Sequence, residues 1–269
     1  MGLQNSVFGE VGGFGQPLVR LGLLEDTSGL ARNDDVVRVI LAMHHAAYDG
    51  VSMHIVLEAF GAGLAGAGHD GVRATRFRSY IGHAIYGRTL EDDDMLLFWT
   101  AQLAGADCTH FSLPPARAAV DRDWPVASSV ASARAPMDLG DAEARPAALA
   151  HAAWALTLSH YTGNADVVFG AILSDRESLS DSVEGLETVA GPTIASVPAR
   201  ICIDYDMLSR DFVAKTQRQL LDMERFSHLD IQTIVRTSPS ARHACSFGNI
   251  LVVQPVVASH DDVIGRRHR

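Results

Sequence analysis

Two adjacent histidines, followed by an aspartate and a glycine, are the residues of this chain best suited to proton-transfer chemistry. They are His44, His45, Asp49 and Gly50 in the run MHHAAYDG. A neutral imidazole can accept a proton from an amine or an alcohol near neutral pH. The aspartate can bind across the turn or to a cation elsewhere, and a glycine allows a backbone conformation or a close approach that a Cβ would hinder. The spacing therefore indicates a turn with one imidazole as a general base, rather than two polar residues that merely end a strand.

Metal and disulfide chemistry are not expected from this chain. The run lacks the HExxH pattern, and His54 on the next predicted helix is a poor third ligand for two adjacent histidines. Cys108, Cys202 and Cys245 are far apart and form no CxxC pair, which argues against a zinc site and against a disulfide framework. We expect them to be small buried side chains in a reducing compartment.

The elements on either side of the histidines predict how their side chains are held. Residues 36–43 (VVRVILAM) are β-branched and mostly apolar, which predicts a buried strand that ends at His44. Apolar residues at helical spacing follow Gly50, and Ser52 is the predicted N-cap of that helix. The histidines therefore lie on a strand-to-helix turn, where adjacent side chains face opposite ways. One ring can point into the core while the other points into a cleft.

Strands and helices alternate along the rest of the chain, which predicts an α/β fold with mixed sheets. Further strands are predicted at residues 17–24, 126–137, 166–173, 194–203 and 246–254. Helices are predicted at residues 72–87, 91–104, 147–161 and 206–226. Leu149, Ala152, Ala153, Leu156 and His160 share one face of the helix predicted at 147–161. Pro198 interrupts the strand at 194–203, which suits the edge of a sheet or a bulge.

Prolines and scattered charges at residues 105–125 predict a boundary between two lobes. We assign a partial N-terminal lobe to residues 1–115, a linker to 116–125 and a partial C-terminal lobe to 126–269. Each lobe contains both strands and helices in this prediction, so each is expected to have its own mixed sheet.

Charge and hydropathy exclude several classes of partner. The chain has 269 residues, of which 47% are hydrophobic and 20% charged, as in globular proteins. The formal net charge is -10 and no basic stripe is present, so nucleic acid is not an expected partner. No apolar run reaches the length of about 18 residues that a membrane span needs. We expect no membrane association and a cytoplasmic location.

The run around His45 resembles the HHxxxDG motif of nonribosomal peptide synthetase condensation domains, in the form common in fungi. HxxxDG alone also occurs in chloramphenicol acetyltransferase-like enzymes and plant-type acyltransferases, so the rest of the chain decides among them. Further segments resemble condensation-domain motifs, in family order, between roughly residues 15 and 255. They are Phe77 with Tyr80, Phe98 and Trp99 with Gln102, Leu103 and Gly105, and residues 111–114, 168–176, 189–200, 228–234 and 247–255.

This resemblance implies a chloramphenicol acetyltransferase-like architecture of two lobes arranged as a V, here incomplete at both ends. The active-site histidine would lie in a tunnel between the lobes. Carrier proteins would bring a donor acyl or peptidyl thioester and an acceptor aminoacyl thioester on phosphopantetheine arms, and an amide bond would form. No cofactor would be bound directly, and the partners would be carrier protein domains and adenylation domains of the same assembly line.

The resemblance also implies a role for each residue of the turn. His45 would be the catalytic histidine, which takes the proton of the amine or orients the amine for attack. Asp49 would pair with Arg176 and hold the turn, since a buried ion pair is costly to break. The backbone near Gly50 would border the developing oxyanion, and His44 would have a packing role.

Ionisable residues outside the turn are expected to serve the fold or to face solvent. Arg200 follows Pro198 in a segment that resembles a family strand motif, and we predict that it is a surface charge on that strand. His54, His151 and His160 are predicted to be structural or exposed.

Several other functions stay open at this point. They are a freestanding acyltransferase that uses acyl-CoA or an acyl carrier, a macrocycle-forming or epimerising variant, and an inactive truncated remnant. The SxAQxR-like and RHExLRT-like motifs that precede the histidine turn in the family are missing, and the later RDxSRNPL-like motif is not clear. We therefore expect a fragment, with partners that act in trans.

Overall fold

The computed structural model describes residues 15–25, 37–66, 75–86, 92–109, 145–174, 176 and 184–254. The strands are β1 (Val19–Glu25), β2 (Val37–Met43), β3 (Asp166–Ser174), β4 (Ile194–Cys202) and β5 (Ile250–Val252). The helices are α1 (Gly50–Leu64), α2 (Phe77–Tyr86), α3 (Asp92–Gln102), α4 (Pro146–Thr162), α5 (Ser209–Arg225), α6 (Ile231–Thr237) and α7 (Pro239–Ala244). The strand predicted at 126–137 and the linker predicted at 116–125 lie outside the described residues.

The strands β1 and β2 form an antiparallel pair that ends at the histidines. Val19 is opposite Met43 at one end of the ladder, and Glu25 is opposite Val37 at the other. The pairing continues for one further bond, because the backbone N–H of His44 donates to the carbonyl of Leu18 at 2.8 Å. The strand predicted to end at the first histidine is therefore confirmed, and it positions the start of the turn.

A three-stranded sheet in the order β4-β3-β5 forms the other main element, with β3 and β5 parallel. Its central strand β3 is buried along most of its length, as its apolar run predicts. Trp99 of α3 and Phe169 of β3 are both fully buried in this core, and the Trp99 indole N–H donates to the carbonyl of Phe226 at 2.9 Å. Among the described strands β4 is paired with β3, and the edge or bulge that Pro198 predicts stays a prediction.

Two short helices near the end of the chain were not predicted. The N-cap of α6 is Asp230, whose carboxylate accepts from the N–H of Thr233 at 3.0 Å. The N-cap of α7 is Ser238, which precedes Pro239 at the first turn. Both residues are recognisable start signals in the sequence. The last strand, Ile250–Val252, is shorter than the predicted 246–254.

The helix α4 is confirmed, but of the five residues predicted to share a face Ala152 alone belongs to the buried side. Ala153 and His160 are exposed, and Leu156 is 44% exposed. The buried positions are Ala148, His151, Ala152, Ala155, Leu158 and Ser159. This helix is apolar on nearly every side, so its sequence does not distinguish one stripe from another. Packing against the sheet selects the face instead.

His151 of α4 is a buried imidazole that is held in its neutral form. It is 2% exposed, and its Nδ1 lies 2.7 Å from the carbonyl oxygen of Ala147, to which it donates. Its Nε2 is buried and has no hydrogen-bond partner within the described residues. Burial lowers the pKa of His151 from its ordinary value of 6.5. A proton at Nε2 would add a charge to an apolar core.

We therefore expect acid to destabilise the protein through His151. Because the folded state binds this proton less readily than the unfolded chain, the free energy of unfolding is highest above pH 6.5 and declines as the pH falls toward the lowered pKa. The His151→Leu variant should lose this decline in urea unfolding followed across that pH range. His160→Leu, on the exposed side of the same helix, should keep it. An unchanged decline in His151→Leu would contradict the prediction.

Arg200 of β4 is not the surface charge that the sequence predicts. Its guanidinium binds the carboxylate of Asp166 on β3 through Nε at 2.9 Å and Nη2 at 2.7 Å, and its Nη1 donates to the carbonyl of Ala104 at 2.6 Å. This bidentate geometry holds the pKa of Asp166 below its ordinary value. The side chain of Arg200 is only 18% exposed. It therefore joins the two strands to the turn that follows α3.

The described residues belong to two compact units that each combine separate stretches of the chain. The first unit contains β1, β2, α1 and α2 together with residues 184–194. The second contains α3, residues 103–109, α4, β3, residues 195–202 of β4, the helices α5 to α7, and β5. The predicted lobe limits at 1–115 and 126–269 stay a prediction, because residues 110–144 lie outside the described part of the chain.

Candidate active site

The turn after β2 directs the two histidines into different surroundings. His44 has extended backbone angles and is the N-cap of a 3-10 turn at His45–Ala47. The ring of His44 is tied to this turn, because its Nδ1 accepts from the N–H of Ala46 at 3.2 Å. The carbonyl of His44 also accepts from the N–H of Ala47 at 2.9 Å. The ring of His44 therefore stabilises the backbone of the turn.

The ring of His45 is exposed and makes no hydrogen bond with any of the described residues. Its neighbour is the ring of Tyr48, in an edge contact with the two centroids 5.0 Å apart and the planes at 61°. Such a contact limits the rotation of the imidazole but leaves the lone pair of one ring nitrogen able to accept a proton. Of the two histidines, His45 has the surroundings that a general base needs.

Asp49, and not Ser52, is the N-cap of α1. The carboxylate oxygen Oδ1 of Asp49 accepts from the N–H of Ser52 at 2.7 Å, and the N–H of Asp49 donates to Oγ of Ser52 at 2.7 Å. These reciprocal bonds form a capping box, which fixes where a helix begins. The sequence places the N-cap three residues too late, because Asp49 and Ser52 are both good capping residues. The helix starts at Gly50, directly after Asp49.

The second carboxylate oxygen of Asp49 binds a residue far away in the sequence. Its Oδ2 accepts from the backbone N–H of Thr193 at 2.9 Å and from the Thr193 hydroxyl at 3.3 Å. Asp49 is 3% exposed and Thr193 is fully buried. Sequence analysis missed Thr193, although it lies in the family-like segment 189–200. The predicted pairing of Asp49 with Arg176, which is half-buried, stays a prediction.

Gly50 does not need the backbone freedom of glycine in this structure. It is the first residue of α1, and it is not among the glycines with positive φ. A Cβ built at Gly50 would meet the side chain of Gln254 at 3.4 Å, which is an ordinary contact with a flexible group. The described residues therefore do not impose the expected steric requirement, although the side chain of Gln254 lies beside this position.

Residues 184–193 pack against α2 and so fix the position of Thr193. Leu186 and Val189 are fully buried with Tyr80 of α2. Gly191 lies so close to the ring of Phe77 that a Cβ there would overlap it. Contact with α2, and not a positive φ, therefore restricts position 191 to glycine.

We expect the Gly191→Ala variant to be less stable than the wild type by about 1–3 kcal/mol, the usual cost of forcing extra volume into a packed site. Gly61→Ala is the matched control, because Gly61 lies inside α1 with nothing near its Cβ position. Alanine there should be neutral or stabilise the helix by up to about 1 kcal/mol. Urea unfolding of both variants measures the difference, and equal stabilities would contradict the close contact at Gly191.

Neither thiol nor metal chemistry competes with the imidazole in the part of the chain described. Cys202 is exposed and Cys108 and Cys245 are half-buried, so the predicted burial of the three cysteines is wrong. Partial desolvation nevertheless raises the pKa of Cys245 to about 11 and also raises the pKa of Cys108 and Cys202, so these thiols are protonated near neutral pH and are poor nucleophiles. Among the described residues no group of three His, Cys, Asp or Glu side chains is placed to hold a metal ion. No helix in the described stretches has both the length and the apolar character to cross a membrane.

An exposed imidazole after a strand, followed by a carboxylate that caps the next helix, defines a candidate acyl-transfer site on a mixed α/β fold. The family model of the condensation domain matches residues 16–264. The chain therefore belongs to the condensation domain family, whose members are amide-bond-forming acyltransferases. This confirms the family and the fold class predicted from the sequence.

Curated relatives of the chain are fungal nonribosomal peptide synthetases. The chain is 35% identical over 249 residues to Apicidin F synthase of Gibberella fujikuroi, and 31% identical over 269 residues to HC-toxin synthetase of Cochliobolus carbonum. It is also 33% identical over 253 residues to the nonribosomal peptide synthetase otaB of Aspergillus niger. These alignments cover 90%, 90% and 94% of this chain but only 5%, 5% and 12% of the relatives.

Solved structures show the same fold at low sequence identity. A chain described as the crystal structure of CT superposes with a TM-score of 0.67 at 22% identity, over 90% of this chain and 51% of that one. The first condensation domain of the calcium-dependent antibiotic synthetase, in complex with a substrate analogue, gives a TM-score of 0.56 at 15% identity, over 81% and 49%. At these identities the similarity supports the fold alone.

Proposed function

We propose that this chain forms an amide bond between a donor acyl or peptidyl thioester and an acceptor aminoacyl amine, each held on the phosphopantetheine arm of a carrier protein. The observation that carries the proposal is the exposed ring of His45, on a turn that the buried carboxylate of Asp49 fixes to the start of α1. Membership of the condensation domain family supports the reaction class.

In the proposed reaction the nitrogen of the acceptor amine attacks the carbonyl carbon of the donor thioester. A carbon–nitrogen bond forms, the carbon–sulfur bond breaks, and the phosphopantetheine thiol of the donor carrier leaves. His45 accepts the proton that the amine loses and returns it to the leaving sulfur, so charge and protons balance. Because the ring of His45 is exposed, it can reach the amine of an acceptor held on a carrier protein. The remaining rate enhancement would come from holding the amine and the thioester close together.

Gly50 is proposed to border the oxygen that becomes negative during the attack. Its N–H is one of the first amides of α1, where the helix leaves backbone donors without intrahelical partners and the dipole is positive. The nearest described atoms to the position of a Cβ belong to the flexible side chain of Gln254, at 3.4 Å, and this side chain can move to let a carbonyl approach this end of the helix. Backbone donors aimed at a developing charge stabilise the transition state.

His44, Asp49 and Arg176 are proposed to support the site without touching the reacting atoms. The ring of His44 holds the backbone of the turn through Ala46. Asp49 fixes the start of α1, and its predicted pairing with Arg176 would add a further anchor. The partners would be carrier protein domains and adenylation domains of one assembly line in the cytoplasm, and the chain itself would bind no cofactor.

The direct test uses two carrier proteins loaded enzymatically, one with a panel of N-acetyl aminoacyl groups as donors and the other with a panel of amino acids as acceptors. Intact-protein mass spectrometry of the acceptor carrier should show the added donor group only when the chain is present. The same mixture with acyl-CoA in place of the donor carrier separates the freestanding acyltransferase. Transfer from acyl-CoA alone, or no transfer by a chain that circular dichroism shows to be folded, would overturn the proposal.

A further inference from the structure

The carboxylate of Asp49 connects two parts of the first unit through different oxygens. Oδ1 accepts from Ser52 and caps α1 at 2.7 Å, while Oδ2 accepts two hydrogen bonds from Thr193 at 2.9 and 3.3 Å. Both side chains are buried, so water cannot replace these bonds at little cost. The end of the histidine turn is therefore attached to residue 193 as well as to its own helix.

Thr193 is itself held by a packed segment rather than by the turn. Leu186 and Val189 of that segment are fully buried against Tyr80, and Gly191 lies against the ring of Phe77. These contacts belong to α2 and do not involve the histidines. Thr193 consequently offers the Asp49 carboxylate a partner whose position is fixed independently of the turn.

The direction of the His45 ring depends on the backbone of the turn, because none of the described residues hydrogen-bonds that ring. The backbone is fixed at one end by the bond from His44 to Leu18, and at the other end by Asp49. We infer that Thr193 is a positioning residue for His45, acting through its two hydrogen bonds to Asp49. That the position of the His45 ring matters for catalysis rests on the proposed function.

The test compares Thr193→Val, which has nearly the same shape but no hydroxyl, with Thr193→Ser, which keeps it. We expect Thr193→Val to lower kcat for amide formation about tenfold, with KM for the loaded carriers unchanged, because small displacements of a catalytic group reduce the rate of the chemical step. Thr193→Ser should restore most of the rate. Thr216→Val is the matched control, since Thr216 is equally buried but, among the described residues, its hydroxyl donates to the Phe212 carbonyl of its own helix in the second unit.

A second readout does not depend on activity. In protein labelled on histidine, the ring signals of His45, assigned by their loss in His45→Gln, should shift in Thr193→Val and return toward the wild-type position in Thr193→Ser. If Thr193→Val does not fold, Thr193→Ala removes the same hydroxyl without a branched side chain and is measured in its place. A chain that forms no amide would refute the proposed function while the ring signals still test the position of His45. Unshifted His45 signals and an unchanged kcat in a folded hydroxyl-free variant would overturn the inference.

Discussion

The variant His45→Gln should form amide with kcat lower by about a hundredfold to ten-thousandfold, the range that one general base usually contributes. Glutamine has a similar reach but cannot accept and return a proton near neutral pH. Since the imidazole is exposed and unbonded among the described residues, its removal should leave the free energy of unfolding within about 0.5 kcal/mol of the wild type. The transfer assay with loaded carriers gives the rate, and urea unfolding gives the stability.

His54→Gln is the control for this experiment. His54 is also a histidine of the first unit, and its Nε2 pairs with Glu58 one turn further along α1 at 3.1 Å. It should retain nearly the full rate. If His45→Gln is as active as His54→Gln, the imidazole at position 45 takes no part in the reaction, and a role for the chain in binding carriers without catalysis would be favoured.

The variant Asp49→Asn should lose both stability and activity. The amide of asparagine can keep the bond to Ser52, but its NH₂ group would then face the backbone N–H of Thr193, while the Thr193 hydroxyl can turn to accept from the NH₂. A donor left without an acceptor in a buried site costs about 1–3 kcal/mol, so the free energy of unfolding should fall by about that amount. The rate should fall as well, because the turn that carries His45 loses its second anchor.

Asp230→Asn provides a matched comparison. Asp230 is the N-cap of α6, and its carboxylate also binds the backbone N–H and the hydroxyl of a single threonine, Thr233, at 3.0 and 2.6 Å. It is exposed, so water can satisfy the donors, and the cost should stay near 1 kcal/mol or less. Equal losses in Asp49→Asn and Asp230→Asn would show that Asp49 is only a helix cap.

The strand-to-helix turn was predictable because all its signals are local. The apolar run of β2 ends at Met43, and the helical spacing of α1 begins at Gly50, so the histidines between them had to lie on the connection. Local pattern also identified β3 and β4. The exact start of α1 was missed because Asp49 and Ser52 are both good capping residues, and they in fact cap each other's backbone.

Contacts between distant residues could not be read from the sequence in the same way. Thr193 lies 144 positions from Asp49, and no spacing rule connects a threonine before one strand with a carboxylate before a helix. Arginine is usually exposed, so residue type alone predicts a surface position for Arg200. Its guanidinium instead forms an ion pair with Asp166 on the adjacent strand. The buried face of α4 was missed for a related reason, since only its packing partner distinguishes one apolar side from another.

The loose contact beside Gly50 has an evolutionary consequence. A library of substitutions there, selected only for resistance to proteolysis, should accept alanine, because a methyl group would meet its nearest described neighbour, the flexible side chain of Gln254, at an ordinary contact distance of 3.4 Å. A library selected for product should be far stricter if Gly50 borders the developing oxyanion as proposed, since the methyl group would then crowd the incoming carbonyl. Lineages that gave up turnover but kept their architecture would therefore be free to replace this glycine.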